Sequence, residues 1–233
     1  MKVLVACEES QRVTTEFRNM GIEAFSCDIL DPSGGHPEWH IKDDVLPLLN
    51  GNCEFITMDG VNHMVEGKFD LIIAHPPCTD LCVSGAVHFQ KKREDGRQRK
   101  AIEFFCQFLK ADRDHIAIEN PVGIISGDYV QQWFPDLCEK YGLSVKPAQR
   151  VQPCMFGDPF EKLTCFWLKG LPPLEPTDIV EPEPRQILSS GRTMPRWYSN
   201  CGGDRKKNRA KTFPGIAKQI AQQWGGYVLN ERG

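Results

Sequence analysis

Phe69-Asp70-Leu71-Ile72-Ile73-Ala74-His75-Pro76-Pro77-Cys78 is the stretch from which the architecture is read. Four apolar residues, Leu71 to Ala74, follow one another without alternation. A strand of that kind has both faces covered, as in a parallel sheet held between helices. His75-Pro76-Pro77 ends it. Each proline fixes φ and lacks an amide donor, so the ladder stops and Cys78 leaves the sheet on a stiff turn.

Working downstream, residues 91–110 carry Ala101, Ile102, Phe105, Phe108 and Leu109 at helical spacing. Residues 115–118 read as another buried strand, ending at Glu119-Asn120-Pro121. A helix over 129–141 running through Pro135, strands over 143–146 and 163–168, an aperiodic region over 169–211 and a helix over 213–224 with Pro214 in its first turn complete the chain. Upstream, Lys2–Ala6 is the first strand. Ser10 is placed to cap a helix over 11–20 that Gly21 ends, and Glu23–Cys27 is a second strand closing on Asp28. After a Gly/Pro-rich loop over 31–37 come a short strand at 39–41, a short helix opened by Asp43-Asp44, and a hairpin of 53–57 with 63–65 around Met58-Asp59-Gly60.

Strand and helix alternate for two-thirds of the chain, which predicts an α/β protein with a mostly parallel, Rossmann-like sheet and helices on both faces. Three parts are expected: a main domain over 1–168, a small basic appendage over 169–211, and a terminal helix over 212–233 packing back. Ligands of such sheets bind at the carboxyl ends of the strands. Glu8, Asp28, Cys78 and Glu119 all fall there, where a plain core would not gather polar groups.

Composition narrows the classes. The 233 residues are 40% hydrophobic and 25% charged, with a net charge of −3. No apolar run suits a membrane span, and Met1 to Ala6 leads too soon into Glu8 and Glu9 for a signal peptide. A cytoplasmic location, in a bacterium or a phage-infected cell, and no membrane partner are expected. Ten cysteines without a CxxC pair argue against a disulfide scaffold and against a metal site. The charge is segregated. Glu175, Asp178, Glu181 and Glu183 precede a basic run of Arg185, Arg192, Arg196, Arg205, Lys206, Lys207, Arg209 and Lys211, interrupted by Asp204 alone. With Trp197 and Tyr198 among them, these cations suit phosphates and base stacking, so DNA is the expected partner.

Cys78 on a stiff turn and Glu119 at the end of another buried strand can converge as a nucleophile and general acid pair. These residues also carry a resemblance. The stretch ending Pro76-Pro77-Cys78 resembles the proline-cysteine motif of the DNA cytosine 5-methyltransferases, and Ile118-Glu119-Asn120-Pro121 resembles their Glu-Asn-Val motif, in the same order and at a similar separation. The chain is most similar to the short members found in phages and prophages, over most of its length.

The resemblance implies an S-adenosylmethionine-dependent methyltransferase fold and methyl transfer to carbon 5 of cytosine through a covalent Cys78–cytosine intermediate. Glu119 and Asn120 would serve the flipped base, which must leave the duplex stack. It implies a cofactor site built from Ala6, Glu8, Ser10, Asp28, Ile29, Asp44, Val45 and Pro76, with Asp28 on the ribose hydroxyls and Asp44 near the adenine amine. Phe156-Gly157-Asp158-Pro159-Phe160-Glu161-Lys162-Leu163-Thr164 resembles the family's Tyr-Gly-x-Pro-Gln-x-Arg-x-Arg segment, with Lys162 and Thr164 standing where the two arginines do. Arg192, Arg196, Arg205, Lys206, Lys207 and Arg209 would contact DNA. The family's glycine-rich first turn is replaced by Ala6-Cys7-Glu8-Glu9-Ser10. A DNA- or cofactor-binding protein without catalysis, an enzyme of free cytosine nucleotides, and a thiol hydrolase using Cys78 with His75 or His88 remain alternatives.

Overall fold

The computed structural model describes residues 1–126, 128–143, 146–199 and 205–232. In chain order the strands are β1 (Lys2–Ala6), β2 (Glu23–Cys27), β3 (His40–Ile41), β4 (Cys53–Ile56), β5 (Asn62–Val65), β6 (Leu71–Ala74), β7 (Ile116–Pro121), β8 (Gln149–Val151), β9 (Thr164–Lys169), β10 (Gln186–Ile187) and β11 (Thr193–Met194). The α-helices are α1 (Arg12–Asn19), α2 (Phe89–Glu94), α3 (Arg97–Lys110), α4 (Asp128–Trp133), α5 (Pro135–Tyr141), α6 (Arg196–Ser199), α7 (Arg205–Ala210), α8 (Pro214–Gln219) and α9 (Gly226–Glu231).

Seven strands make one sheet in the order β3-β2-β1-β6-β7-β9-β8. Pairing is parallel from β3 through β7, and β9 then runs antiparallel to both β7 and β8. The expected mostly parallel α/β architecture is therefore present, and the strand order reverses between β1 and β6. At such a switch point the helices diverge to opposite faces and leave a crevice beyond the strand ends.

β6 shows why a non-alternating apolar strand belongs in the middle. Ile72 and Ala74 join one core cluster with Phe25, Phe105 and Trp167, while Leu71 and Ile73 join another with Val13, Phe17 and Trp224. All four β6 residues are fully buried. Each large one contributes about 1.5–3 kcal/mol by leaving water. Helices α3, α4 and α5 cover the first face; α1, α8 and the residues after α8 cover the second.

Several expected elements are modified. The helix over 91–110 is two, because Gly96 adopts φ +77° and Asp95 Oδ1 accepts the Arg97 amide at 3.1 Å, starting α3 afresh. The helix over 129–141 breaks at Phe134, since Pro135 has no amide to continue it and instead opens α5. The Asp43-Asp44 segment leads only to a 3-10 turn, Leu46–Leu48. Of the strand expected at 143–146, Ser144 and Val145 lie outside the described residues, and the edge strand is Gln149–Val151. The terminal helix contains a π turn, Ile220–Gly225, that seats Trp224 in the core. Its indole donates to the Pro172 carbonyl at 2.8 Å.

Ser10 does not cap α1. Gln11 occupies the cap position in the left-handed region, φ 55°, without a side-chain cap bond. Glu8 does the capping from further back: its carboxylate accepts the Val13 amide at 2.6 Å, the Thr14 amide at 3.2 Å and the Thr14 hydroxyl at 2.7 Å. Among the described residues, no helix is long and apolar enough to cross a membrane.

Candidate active site

β6 and β7 are neighbours in register, Ala74 opposite Ile118. The chain leaves β6 at His75 and reaches Cys78, while Glu119 is the next residue of β7. The two chains are then tied together. Asn120, buried, donates from Nδ2 to the Pro76 carbonyl at 2.8 Å. His75 donates from Nδ1 to Glu119 Oε2 at 3.2 Å, with only 11% and 12% of the two side chains exposed. Beyond Cys78 the backbone turns at once: the amides of Leu81 and Cys82 both donate to the Cys78 carbonyl. Cys82 then bridges Gly123, pinning the loop to the segment after β7.

The charges in this pocket act on one another. Burial first, then the charges of Glu119 and Cys82, push the Cys78 thiol up to about 11 against the cation of Lys162. Glu119 is opposed by the same burial, yet the His75 hydrogen bond and the charges of Lys162 and His75 together hold its carboxyl below the usual range. Cys78, Glu119, Lys162 and His75 thus form one electrostatic unit: a thiol, a carboxylate and a cation around a strand-end cleft. Thr164 sits apart from it. It is buried in β9 opposite Pro121, and its hydroxyl donates to the Lys162 carbonyl at 3.2 Å, bracing the turn that carries Lys162.

The crevice between β1 and β6 lies beside this unit. The His75 amide donates to the Ala6 carbonyl at 2.9 Å, extending the ladder to the switch point. Ala6 itself is buried in the ladder between Cys27 and Ala74. In the turn after β1, Cys7 and Gln11 take φ 58° and 55°. Left-handed backbone costs a residue with a Cβ about 1–2 kcal/mol, so the turn is held by its surroundings. Gln11, fully buried, does part of that. Its amide nitrogen donates to Ser26 Oγ and to the His36 carbonyl, and its oxygen accepts the His36 amide. His40 adds to the network, one ring nitrogen 2.8 Å from Ser26 Oγ and the other 3.0 Å from the Leu30 carbonyl. Burial depresses the pKa of His40, consistent with a neutral ring here.

Of the expected cofactor residues, Asp28 and Asp44 both act on the Cys7 thiol, which burial already raises. Asp28 Oδ1 accepts the Leu30 amide at 3.0 Å, and burial raises its pKa. Asp44 Oδ1 accepts the Leu46 amide at 3.0 Å, starting the 3-10 turn. Ile29 is 73% exposed beside Asp28. Val45 is buried in the core and Pro76 is buried at the strand end. Two cavities lie elsewhere: one of about 80 Å³ between Phe108, Ile118 and Trp167, and one beside the β4–β5 hairpin.

The basic appendage is docked next to Lys162. Trp197 Nε1 donates to the Glu161 carbonyl at 3.0 Å, and its ring lies 5.2 Å from Phe213, whose face Lys162 Nζ approaches at 5.9 Å. Arg185 pairs with Glu161 at 2.7 Å. Arg192 is exposed in the turn between β10 and β11, and Arg196 opens α6. Arg205, Lys206 and Lys207 begin α7. Arg209 is engaged internally: its guanidinium stacks 3.5 Å from the Tyr198 ring and donates from Nε to the Tyr198 carbonyl at 3.0 Å.

Three contributors escaped sequence reasoning. His75 was considered only as the partner of a hydrolase cysteine, although a titratable residue wedged between a buried strand and a proline pair was a signal for more. Gln11 and His40 left no local signal, because their partners lie 15 to 25 residues and 10 to 14 residues away.

No protein-family model matches the sequence, and no curated protein matches it. Among solved structures, the chain is similar to a protein designated a DNA modification methyltransferase encoded within an E. coli prophage, at 14% identity and a TM-score of 0.47, over 78% of this chain and 52% of that one. The chain thus spans about half the length of that protein.

Proposed function

We propose that this chain is an S-adenosylmethionine-dependent methyltransferase that methylates carbon 5 of cytosine in DNA, with Cys78 as nucleophile and Glu119 as the residue that grips and protonates the base. One observation carries the reading: the Cys78 thiol and the Glu119 carboxylate, from the ends of adjacent strands, act on each other in a single cleft beside the switch point.

The roles follow from the groups present. Attack requires a thiolate, and Cys78 is a thiol at neutral pH in the free protein. Glu119 is a carboxylate there, suited to accept from the exocyclic amine of cytosine. Passing the thiol proton through Glu119 to N3 produces the thiolate and activates the ring in one movement. The sulfur then bonds to carbon 6, and carbon 5 becomes nucleophilic. Lys162 stabilises the anion that develops, although it lacks the bidentate fork of an arginine. Asn120 keeps the Pro76 turn, and hence the sulfur, in place. After methylation the carbon-5 proton departs to solvent, the sulfur–carbon bond breaks, and N3 returns its proton through Glu119 to sulfur.

The crevice fits the cofactor. Asp28 has a second carboxylate oxygen for ribose hydroxyls, Ile29 offers an exposed apolar face for a base, and His75 Nε2 is a buried polar atom without a partner among the described residues. Bound there, S-adenosylmethionine supplies an electrophilic methyl group. Asp44 would meet the adenine amine. Glu8 and Ser10 shape the turn, Glu8 with its carboxylate engaged by α1. The appendage, anchored beside Lys162, brings Arg192, Arg196 and the α7 cations to the DNA backbone, where each neutralised phosphate releases counterions.

The test is trapping on DNA that contains 5-fluorocytosine, with S-adenosylmethionine present. The wild-type protein should give a covalent adduct resistant to denaturation, and Cys78→Ser should give none. Adduct formation by Cys78→Ser, or none by wild type on any cytosine-containing DNA, overturns the reading. Tritium release from carbon-5-labelled cytosine in DNA, and none from the free nucleotide, identifies the substrate as DNA.

A further inference from the structure

His75 stands where the two halves of the site meet. Its backbone amide belongs to the β1–β6 ladder through the Ala6 carbonyl. Its Nδ1 reaches across to β7 and holds Glu119 Oε2 at 3.2 Å. Because the partner is a carboxylate oxygen, Nδ1 carries the hydrogen. Its Nε2 is buried and has no partner among the described residues. Buried polar atoms are paired in the great majority of cases, and a ligand is one of the few reasons for one to be left open. Glu8, at the end of β1, lies within electrostatic reach of this ring, whose backbone is already tied to the end of β1 through Ala6.

We propose that His75 is a two-sided positioning residue: Nδ1 fixes the orientation and ionisation of Glu119, and Nε2 is the partner of the methionine end of the cofactor in the β1–β6 crevice. The inference rests on the methyltransferase reading for its cofactor half and stands independently of it for its Glu119 half. It explains a histidine at a position flanked by a buried strand and two prolines, where an apolar residue would pack at less cost. It also gives the base pocket a means of sensing the cofactor, because one rigid ring touches both.

Two charged groups act on this ring, Glu8 from the end of β1 and Glu119 from β7; Glu119 in turn interacts with Cys78 from the loop after β6, Lys162 from the turn before β9 and Cys165 in β9. Without the Nδ1 bond, burial acts on Glu119 with less opposition and its carboxyl becomes easier to protonate. A neutral Glu119 repels the Cys78 thiolate less. Loss of His75 therefore makes the free thiol more reactive, and only while Glu119 is present.

The test exploits the geometry of two amides. Asparagine places its nitrogen near the position of Nδ1, and glutamine near that of Nε2. His75→Asn, His75→Gln and His75→Ala are compared with wild type, each first checked for a cooperative thermal transition. Site-resolved alkylation of Cys78 is measured at pH 8 by mass spectrometry, and S-adenosylhomocysteine binding by calorimetry. Alkylation should rise roughly twofold to tenfold in His75→Ala and His75→Gln, stay at the wild-type rate in His75→Asn, and show no rise when His75→Ala is added to Glu119→Gln. S-adenosylhomocysteine affinity should fall roughly threefold to tenfold in His75→Ala and His75→Asn and less in His75→Gln. An alkylation increase that persists beside Glu119→Gln overturns the Glu119 half, as does an unchanged rate in His75→Ala. Equal affinities across the three variants overturn the cofactor half. Absence of S-adenosylhomocysteine binding by wild type sinks the cofactor assignment itself, while the alkylation cycle still judges the Glu119 half.

Discussion

Asn120 holds Pro76: the amide of one buried side chain donates at 2.8 Å to the carbonyl two residues before the Cys78 sulfur. The bond crosses from β7 to the loop after β6, so the position of Cys78 is determined by the neighbouring strand as well as by its own prolines. Asn120→Ala leaves the Pro76 carbonyl without this donor, at a cost of about 1–3 kcal/mol. Thermal denaturation should register the loss, and the yield of 5-fluorocytosine adduct should fall more steeply than stability does. A variant that melts lower but traps DNA at the wild-type rate would separate Asn120 from the positioning of Cys78.

The same loop is clamped a second time. Gly123 bridges Cys82, and a Cβ there would sit 2.4 Å from the Leu81 carbonyl oxygen. Backbone cannot yield as a flexible side chain can. Gly123→Ala should therefore destabilise by about 1–3 kcal/mol and displace the Cys78 turn. Denaturant unfolding and adduct yield measure the two effects. A variant of wild-type stability would mean that the clamp is slack.

The Cys78 thiol responds to its neighbours with definite signs. Burial is the largest of the influences that together raise it to about 11; Glu119 also raises it and Lys162 lowers it. Glu119→Gln should thus speed alkylation of Cys78 by iodoacetamide at pH 8, and Lys162→Met should slow it, each by severalfold. The pH profile of the rate should move to lower pH in the first variant and to higher pH in the second. Opposite displacements would show that the three groups do not share a cleft.

How much of this was readable beforehand depends on the range of the interaction. β1, β2, β6 and the β4–β5 hairpin follow from local apolar pattern and turn residues, which is why their positions in the sequence were evident. Cys78, Glu119 and Asn120 were evident for the same reason, as the polar ends of two buried strands. Gly96 and Pro135 were visible but given too little weight against helical periodicity. Ser10 was the wrong cap for α1 because the reach of Glu8 extends past it to Val13 and Thr14. The docking of Trp197 on Glu161 spans 36 residues and leaves no trace in either segment alone.

Glu8 offers a test with a pH sign. Burial raises its carboxyl above the ordinary value, against the opposing influence of His75 and the bonds from Thr14 and Val13. The folded protein therefore binds this proton at a higher pH than the unfolded chain does. As pH falls from neutral through that window, this group adds stability; as pH rises again, the contribution is lost. Glu8→Gln removes the titration and presents an amide to backbone donors, which should cost about 1–2 kcal/mol. Urea unfolding at pH 7 and pH 5 should find the gap between wild type and variant wider at pH 5. A gap that narrows on acidification would contradict the raised carboxyl.

Trp197 tests whether the appendage works as a DNA-facing arm. Its indole donates to the Glu161 carbonyl, and its ring packs 5.2 Å from Phe213 and 6.4 Å from Phe160. Trp197→Ala removes the anchor while leaving Arg192, Arg196 and the α7 cations in the chain. Those charges would then have to be ordered on DNA at the moment of binding, a cost the anchored arm avoids. Affinity for a cytosine-containing duplex should fall roughly tenfold, with a shallower dependence on salt as fewer phosphates are engaged at once. S-adenosylhomocysteine binding, whose proposed site is the β1–β6 crevice, should not change. Fluorescence anisotropy across a salt series reads the first effect and calorimetry the second. Unchanged DNA affinity with an unchanged salt slope would remove the appendage from the interface, and the phosphate contacts would then have to come from the basic segment around α2 and the start of α3.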